Sequence, residues 1–171
     1  MVKKLDYNEY KGKMYSLKVK SNKYLDINVK DYGFELKFVD TNEFTNILED
    51  DMLSEWLDNP VAYGIFVDGV LKGFVEGFLE TWCNRYRISN ICIFEEEDRK
   101  KGFGKILLDE ILKEAKNSKA RMVVLETQSY NYNAISFYKK NGFEIIGFDM
   151  YAYSNDGPKE HNMRIEMGKI L

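Results

Sequence analysis

The chain has 171 residues, and its hydrophobic fraction of 44% is ample for one compact domain spanning residues 1–171. With 25 basic and 28 acidic residues the net charge is −3, so no basic field exists to hold a nucleic acid. No apolar run reaches the length of about 18 residues that a membrane span needs, and the N-terminus is charged where a secretory segment would be apolar. Two isolated cysteines and one histidine argue against a disulfide framework and a metal site, which favours a cytoplasmic protein.

The first elements predicted in chain order are a hairpin and a helix. Tyr24–Val29 and Phe34–Val39 alternate apolar and polar side chains around a short turn, which predicts two antiparallel strands. From Thr41 to Leu57 the apolar residues recur at helical spacing, and Asp40 and Glu43 are placed like a capping box. The twenty residues at the N-terminus show no clear period and carry no prediction.

An antiparallel meander is predicted next. Ala62–Val67 and Val70–Glu80 flank Asp68-Gly69, which is the strongest short-range hairpin signal in the chain. Arg85–Phe94 continues as a third strand after a short polar turn. These three strands are expected to be neighbours in one sheet.

A change of period marks a helix after the meander. One apolar helical face is predicted, and Met122–Leu125 is a short continuous apolar strand. The face consists of Phe103, Ile106, Leu107, Ile111, Leu112 and Ala115. Strand, helix and strand in succession predict a parallel crossover in the middle of the sheet.

The last third of the chain predicts a short helix and two strands. Asn133 is expected to cap a helix that runs through Lys140 and is closed by the Asn-Gly pair that follows. Strands are expected near Phe143–Tyr153 and His161–Met167, on either side of a polar turn. His161 is interpreted as a polar residue on the second of these strands.

A glycine-containing turn connects the third strand of the meander to the helix, with the sequence Arg99-Lys100-Lys101-Gly102-Phe103-Gly104-Lys105. Glycines let a ligand approach the backbone closely. The free N–H groups of the following helix point at such a ligand, with the positive end of the helix dipole. The turn therefore predicts a site for a pyrophosphate group.

Two motifs in succession identify the turn further. Arg99, Gly102 and Gly104 match the pattern of Arg or Gln, two residues, Gly, any residue, then Gly or Ala. Downstream, Asn131 precedes an alanine by three residues, and Tyr138 follows that alanine by four. On these two signatures the chain resembles the GCN5-related N-acetyltransferase (GNAT) superfamily.

The resemblance covers roughly residues 85–153, the expected acetyl-CoA-binding core. Within the superfamily, the run Leu125-Glu126-Thr127-Gln128 and its neighbours look like streptothricin acetyltransferases and their relatives of unknown substrate. The superfamily fold is a single α/β domain with a mixed, mostly antiparallel sheet, splayed at its centre and flanked by helices. The resemblance implies the same fold here, with the pantetheine arm in the gap between the strand at Ile91–Ile93 and the strand at Met122–Thr127.

The resemblance also implies which residues contact acetyl-CoA, the expected acetyl donor. Backbone groups of the central strand would bind the pantetheine arm, the glycine-containing turn would hold the pyrophosphate, and an asparagine would reach the pantetheine. In this chain the residues concerned are Ile91, Cys92, Ile93, Arg99, Lys100, Lys101, Gly102, Phe103, Gly104, Lys105 and Asn131.

Direct attack of an amine on a thioester needs a neutral amine, a donor for the oxyanion and a proton for the departing thiolate. Tyr138 matches the superfamily tyrosine that lies near the sulfur, and it is the predicted general acid. Many members carry a glutamate on the central strand, where this chain has Ser89-Asn90. The base therefore stays open among Glu76, Glu80, Glu126, Asp149 and a chain of water molecules.

The narrower resemblance predicts that the acceptor is a primary amine of a small cationic molecule, such as a streptothricin-type antibiotic. Two alternatives stay open, which are a protein or peptide amine and a non-catalytic acyl-CoA-binding module. No metal, nucleic acid or membrane partner is expected, and a homodimer is left open. The residues predicted to contact the acceptor are Glu76, Glu80, Trp82, Tyr86 and Asp149.

Overall fold

The computed structural model describes all 171 residues and divides the chain into two compact units. The first unit consists of Met1–Lys18, Ile47–Val124 and Ile170–Leu171, and the second of Val19–Asn46 and Leu125–Lys169. Each unit is thus assembled from segments that lie far apart in the sequence. None of the helices is long and apolar enough to cross a lipid bilayer.

Strands dominate the first half of the chain, and helices alternate with strands in the second. The elements are β1 (Val2–Lys4), α1 (Tyr7–Tyr10), β2 (Met14–Lys30), β3 (Gly33–Asp51), β4 (Val61–Val67), β5 (Val70–Glu80), β6 (Arg85–Ile93), a 3₁₀ turn (Glu96–Asp98), α2 (Phe103–Asn117), β7 (Met122–Gln128), α3 (Tyr132–Lys140), β8 (Glu144–Asp149) and β9 (Arg164–Ile170). This mixture of sheet and helices confirms the predicted α/β class.

The sheet of the first unit has the strand order β1-β4-β5-β6, with the start of β7 beyond β6. The pairs β1–β4, β4–β5 and β5–β6 are antiparallel, which confirms the predicted meander. Helix α2 packs against β4, β5 and β6. Its fully buried side chains are Leu107, Leu108, Ile111 and Ala115. The helical spacing predicts three of these but not Leu108, and Ile106, which it also places on the apolar face, is 46% exposed.

A β-bulge interrupts the pairing of β5 with β6. Glu76 pairs with Asn90, but the next residue, Gly77, pairs with Ile88, so Ser89 is an extra residue on β6. A Cβ atom on Gly77 would lie 2.4 Å from the carbonyl oxygen of Arg87. The close approach of the two backbones at the bulge therefore requires glycine at this position.

In the second unit the sheet order continues from the end of β7 to β9 and then β8, and β8 and β9 are antiparallel. The strands β2 and β3 form a separate two-stranded ribbon, whose outer part, residues 19–46, belongs to this unit. Aromatic rings fasten the ribbon to the rest of the unit: Phe34 contacts Phe148 at a centroid distance of 4.8 Å, and Phe38 contacts Tyr132 at 4.9 Å. These contacts place two aromatic side chains of β3 against β8 and α3 of the same unit.

The predicted helix from Thr41 to Leu57 is wrong, because β3 extends through most of it. Phe44, Asn46 and Leu48 form the half-buried row of the strand, whereas Ile47 is 60% exposed. Because the polar Asn46 lies in the inward row and the apolar Ile47 in the outward row, the period of two that is typical of a strand is not visible in the sequence. The apolar residues recur instead at helical spacing. Asp40 does not cap a helix but pairs with Lys23 across the ribbon at 3.0 Å.

The predicted cap of α3 is also wrong. Asn131, not Asn133, caps the helix, with its Oδ1 accepting from the N–H of Ala134 at 3.2 Å. Asn133 instead donates its side-chain amide to the carbonyl oxygen of Lys20. Two asparagines lie on either side of the helix start, and the sequence pattern does not discriminate between them.

The strand β8 is shorter than predicted, β9 lies three residues further along the chain than predicted, and His161 is not on a strand. The strand β9 begins at Arg164, and His161 precedes it in a turn with a backbone φ of +55°. Its ring stacks on Tyr24 at a centroid distance of 3.6 Å. The histidine has a packing role on the ribbon in place of the strand position that the sequence predicts.

Candidate active site

The glycine-containing turn of the first unit leads into the N-terminus of α2. Gly102 is the N-cap and has a left-handed φ of +87°, and the first helical hydrogen bond runs from the N–H of Ile106 to its carbonyl oxygen. The N–H groups of Phe103, Gly104 and Lys105 therefore have no partner within the helix. They form the anion-binding helix terminus that the sequence predicts.

The charged side chains around this turn form ion pairs with one another. Asp98 is buried, and its carboxylate oxygens lie 2.6 Å from Nζ of Lys101 and 3.0 Å from Nζ of Lys72. These two lysines hold the pKa of the Asp98 carboxyl below its usual range. Lys105 pairs with Asp109. Sequence reasoning missed Lys72, which lies on β5, far from the motif in sequence, so only the sheet register brings it to the turn.

Arg99 holds the turn in place through backbone contacts. Its guanidinium donates to the carbonyl oxygens of Lys18 at 2.7 Å and of Ile93 at 3.3 Å. Because these donors are already used, the side chain fixes the path from β6 to α2. Its contact with the cofactor stays a prediction.

The residues expected to line the pantetheine arm lie at the end of β6. Ile91, Cys92 and Ile93 pair on one side with residues 73–75 of β5. Cys92 is 8% exposed, and burial raises the pKa of its thiol. A neutral buried thiol is a poor nucleophile, so any contribution of this run to binding comes from its backbone groups.

Glu76, one of the open candidates for the base, is sealed within the first unit with 0% exposure. Its Oε2 accepts from the N–H of Leu53 at 2.7 Å, and its Oε1 accepts from Asn90 Nδ2 at 2.9 Å and Ser89 Oγ at 3.2 Å. Burial raises the pKa of this carboxyl, and the three donors only partly oppose the rise. The Glu76 carboxylate therefore lies at the bulge of β6, where it is hydrogen-bonded to the partly exposed side chains of Ser89 and Asn90.

The raised pKa of Glu76 predicts a pH-dependent stability. Folding raises the pKa of this carboxyl and therefore favours its neutral form. The contribution of Glu76 to the free energy of unfolding is fully present below the ordinary pKa of 4.5, and it is lost as the pH rises through the folded-state pKa. We expect Glu76→Gln to gain stability relative to the wild type as the pH rises from 4.5, because glutamine carries no charge to bury. Denaturant unfolding at a series of pH values measures this difference.

Glu80→Gln supplies the control of opposite sign. Although burial alone would raise the pKa of Glu80, Arg87 at 2.6 Å and Arg85 at 3.1 Å hold it below the ordinary value. Its stabilisation is present at neutral pH and lost as the pH falls, so Glu80→Gln should lose stability relative to the wild type as the pH rises. Parallel behaviour of the two variants would contradict the assignment of opposite shifts.

The other predicted acceptor contacts on β5 and β6 occupy different environments. Glu80 is engaged by its two arginines, and Tyr86 is 2% exposed with its hydroxyl directed to the carbonyl oxygen of Gly77. Trp82 lies in the connecting turn with 82% of its surface exposed, and the Arg85 guanidinium lies over its ring. Of these three, only Trp82 presents a broad surface to solvent.

In the second unit, Tyr138 lies on the buried face of α3 with 7% exposure. Its ring contacts Phe137 at 5.4 Å and Phe143 at 5.8 Å between centroids. Asn131 begins the same helix and uses its side-chain oxygen as the cap. The second signature therefore builds one short helix that fixes both residues, whose catalytic and binding roles stay predictions.

An acidic group surrounds Arg164 in the second unit. Asp149 at 3.7 Å, Glu126 at 3.9 Å and Glu166 at 3.7 Å all face its guanidinium, and the Tyr153 hydroxyl donates to Glu126 at 3.2 Å. Three carboxylates against one cation leave an excess of negative charge. No group of three or more His, Cys, Asp or Glu side chains in the chain is arranged to hold a metal ion.

Comparison with known proteins places these features in a family context. The model of the acetyltransferase (GNAT) family matches residues 26–143. The chain is 30% identical to streptothricin acetyltransferase of Escherichia coli over 129 residues, which cover 75% of this chain and 71% of that protein. It is also 36% identical to streptothricin acetyltransferase A of Bacillus subtilis (strain 168) over 72 residues, or 42% of each chain.

Solved structures share the fold over nearly the whole chain. Nourseothricin acetyltransferase superposes with a TM-score of 0.79 at 19% identity, covering 99% of this chain and 97% of that one. A candidate streptothricin acetyltransferase from Bacillus anthracis str. Ames, solved in complex with acetyl coenzyme A, gives 0.74 at 24% identity and covers 100% and 98%. These likenesses confirm the predicted fold, a large, mostly antiparallel sheet flanked by helices.

Proposed function

Because the chain belongs to the acetyltransferase (GNAT) family and is an acetyl-CoA-dependent N-acetyltransferase, we propose that its acceptor is the primary amine of a small cationic molecule. A streptothricin-type antibiotic is the acceptor that we favour. The observation that carries this choice is the 30% identity to streptothricin acetyltransferase over three quarters of the chain. We place the enzyme in the cytoplasm, and we propose that residues 1–171 act as one acetyltransferase domain.

The donor site that we propose begins at the N-terminus of α2. The unpaired N–H groups of residues 103–105 bind the pyrophosphate of acetyl-CoA, and Lys100 and Lys101 add positive charge beside it. The pantetheine arm then follows the backbone of Ile91–Ile93 towards the bulge at Ser89. This direction follows from the position of the helix terminus, which comes after the C-terminal end of β6 in the chain.

Transfer proceeds by direct attack of the amine on the thioester, without a covalent enzyme intermediate. Tyr138, which the second signature matches to the superfamily tyrosine near the sulfur, protonates the departing thiolate. Asn131 contacts the pantetheine on the same basis. Both assignments rest on the family signature and on the fixed positions of these residues, Asn131 as the N-cap of α3 and Tyr138 within the helix.

The charge of the protein supports a cationic acceptor. Its sequence pI is about 5.4, and in the second unit the three carboxylates of Glu126, Asp149 and Glu166 face the single guanidinium of Arg164. A cation diffusing to the protein is attracted to such surfaces.

Expression of the protein tests the acceptor in living cells. We expect cells that produce it to survive a streptothricin dose that kills cells with an empty vector, because acetylation removes a cationic amine from the drug. The drug recovered from the medium should carry one additional acetyl group by mass spectrometry. Equal killing together with unmodified drug would contradict the proposed acceptor.

A further inference from the structure

The bulge of β6 brings two side-chain donors, Ser89 and Asn90, to a carboxylate that also accepts from the N–H of Leu53. Glu76 has 0% exposure, so the amine cannot reach it directly. Ser89 and Asn90 are both partly exposed, and both donate to Oε1 of Glu76. A group that meets the amine here must therefore be one of these two side chains.

Only one of the three donors can pass on a proton. The N–H of Leu53 and the amide of Asn90 keep their protons at neutral pH, whereas the hydroxyl of Ser89 can give its proton to Glu76 while it accepts another. The path from solvent to the buried carboxylate therefore runs through Ser89. Along the direction that the donor site gives to the pantetheine arm, Ser89 lies two residues beyond Ile91 on β6, so the thioester would lie near it.

We propose that Ser89 and Glu76 form a proton relay that deprotonates the acceptor amine, an inference that rests on the proposed amine acetylation. As the amine nitrogen forms a bond with the acetyl carbon, its proton passes to Ser89 Oγ, and the Ser89 proton passes to Glu76 Oε1. The C–S bond then breaks, and the thiolate takes a proton from the general acid. Glu76 returns its proton through Ser89 to solvent, and the general acid takes one proton back from solvent, which restores the starting state.

The surroundings of Glu76 favour a base of this kind. The titratable groups that act on it are Asp50 on β3, Tyr15 on β2 and Cys92 on β6, with Asp51 beside the first of these. Asp50 disfavours its ionisation, and burial raises the pKa of both Tyr15 and Cys92, which keeps them neutral. A carboxylate whose pKa is raised towards neutral pH by desolvation accepts a proton more readily than an exposed one.

Two alanine variants separate the relay from simple packing. Each removes one hydrogen bond to Oε1 of Glu76, but only Ser89→Ala removes a proton path. Asn90→Ala also removes the hydrogen bond to Asp50, so it is the more disruptive change of the two. We expect Ser89→Ala to lower kcat by about 10² to 10⁴-fold at high pH. Asn90→Ala should lower it by about tenfold at most, because the proton path through the Ser89 hydroxyl stays intact. Both are assayed with whichever primary amine the wild type acetylates.

The pH dependence gives the decisive readout, as the ratio of wild-type to variant kcat, in which ionisation of the substrate cancels. For Ser89→Ala the ratio should rise with pH through the pKa of Glu76, because the relay works only when the carboxylate is ionised. For Asn90→Ala the ratio of wild-type to variant kcat should rise to a maximum and then fall as the pH increases, because loss of a hydrogen-bond donor raises the pKa of Glu76. A ratio for Ser89→Ala that does not change with pH would overturn the relay.

A second pair keeps the test valid if alanine disturbs the bulge. Ser89→Thr retains a hydroxyl and Ser89→Val replaces it with a methyl group of the same shape, so threonine should restore at least about tenfold more activity than valine. Equal activity of these two variants would also overturn the relay. If peptides replace small amines as the acceptor, the proposed function fails while the same variants still decide the relay.

Discussion

Replacing Tyr138 with phenylalanine is expected to lower kcat by about 10² to 10⁴-fold, the usual contribution of a general acid. The change removes only the hydroxyl, and the ring keeps its contacts with Phe137 and Phe143. Folding should survive, and KM for acetyl-CoA should stay within about threefold, because the hydroxyl acts only in the transition state. The loss should shrink with an acetyl thioester of a more acidic thiol, which needs less help to leave.

Tyr132→Phe is the matched control, since Tyr132 lies on the same helix and packs on Phe38. It also loses only a hydroxyl, and its kcat should stay close to that of the wild type. If Tyr138→Phe retains near-normal kcat when the chemical step limits the rate, Tyr138 has only a packing role. The acid would then be water or another side chain.

Replacing Gly104 with valine is expected to abolish the stabilisation by acetyl-CoA. At a ligand concentration of 100 times its dissociation constant, the wild type should gain about 2.7 kcal/mol in its free energy of unfolding. Gly104 is the second residue of α2, beside the N–H groups without helical partners. A branched side chain there would hold the pyrophosphate away from the backbone, so the variant should gain nothing.

Ile106→Val controls for a branched side chain near the start of the same helix. Ile106 is exposed and its N–H is already bonded to Gly102, so this variant should keep the full gain from acetyl-CoA. Thermal unfolding with and without the ligand measures all three proteins. A stabilisation of Gly104→Val equal to that of the wild type would exclude the turn as the pyrophosphate site.

The parts of the fold that local chemistry determines could be predicted from the sequence. The Asp68-Gly69 turn, the alternation around it and the apolar face of α2 each have a single favoured structure. The helix predicted from Thr41 to Leu57 failed because burial in the ribbon is only partial. Asn46 faces inward and Ile47 outward, so hydrophobicity no longer reports the side of the strand.

Only part of the candidate site could likewise be predicted from the sequence. The turn at Arg99–Lys105 could be predicted because its glycines and helix terminus are adjacent in sequence. The contact of Glu76 with Ser89 could not, because a bulge shifts the register by one residue and leaves no mark in the pattern of side chains. A similar limit hid Lys72, whose contact with Asp98 depends on strand pairing.

The central claim, acetyl transfer to a small cationic amine, is tested most directly by the release of free CoA thiol from the purified protein. The measurement compares kcat/KM for a streptothricin-type amine with kcat/KM for peptides that carry free amino groups. The account predicts thiol release that depends on the amine, with the small cation preferred by at least about tenfold, equivalent to about 1.4 kcal/mol of transition-state binding. Faster turnover of the peptides, or no thiol release with any amine, would contradict it.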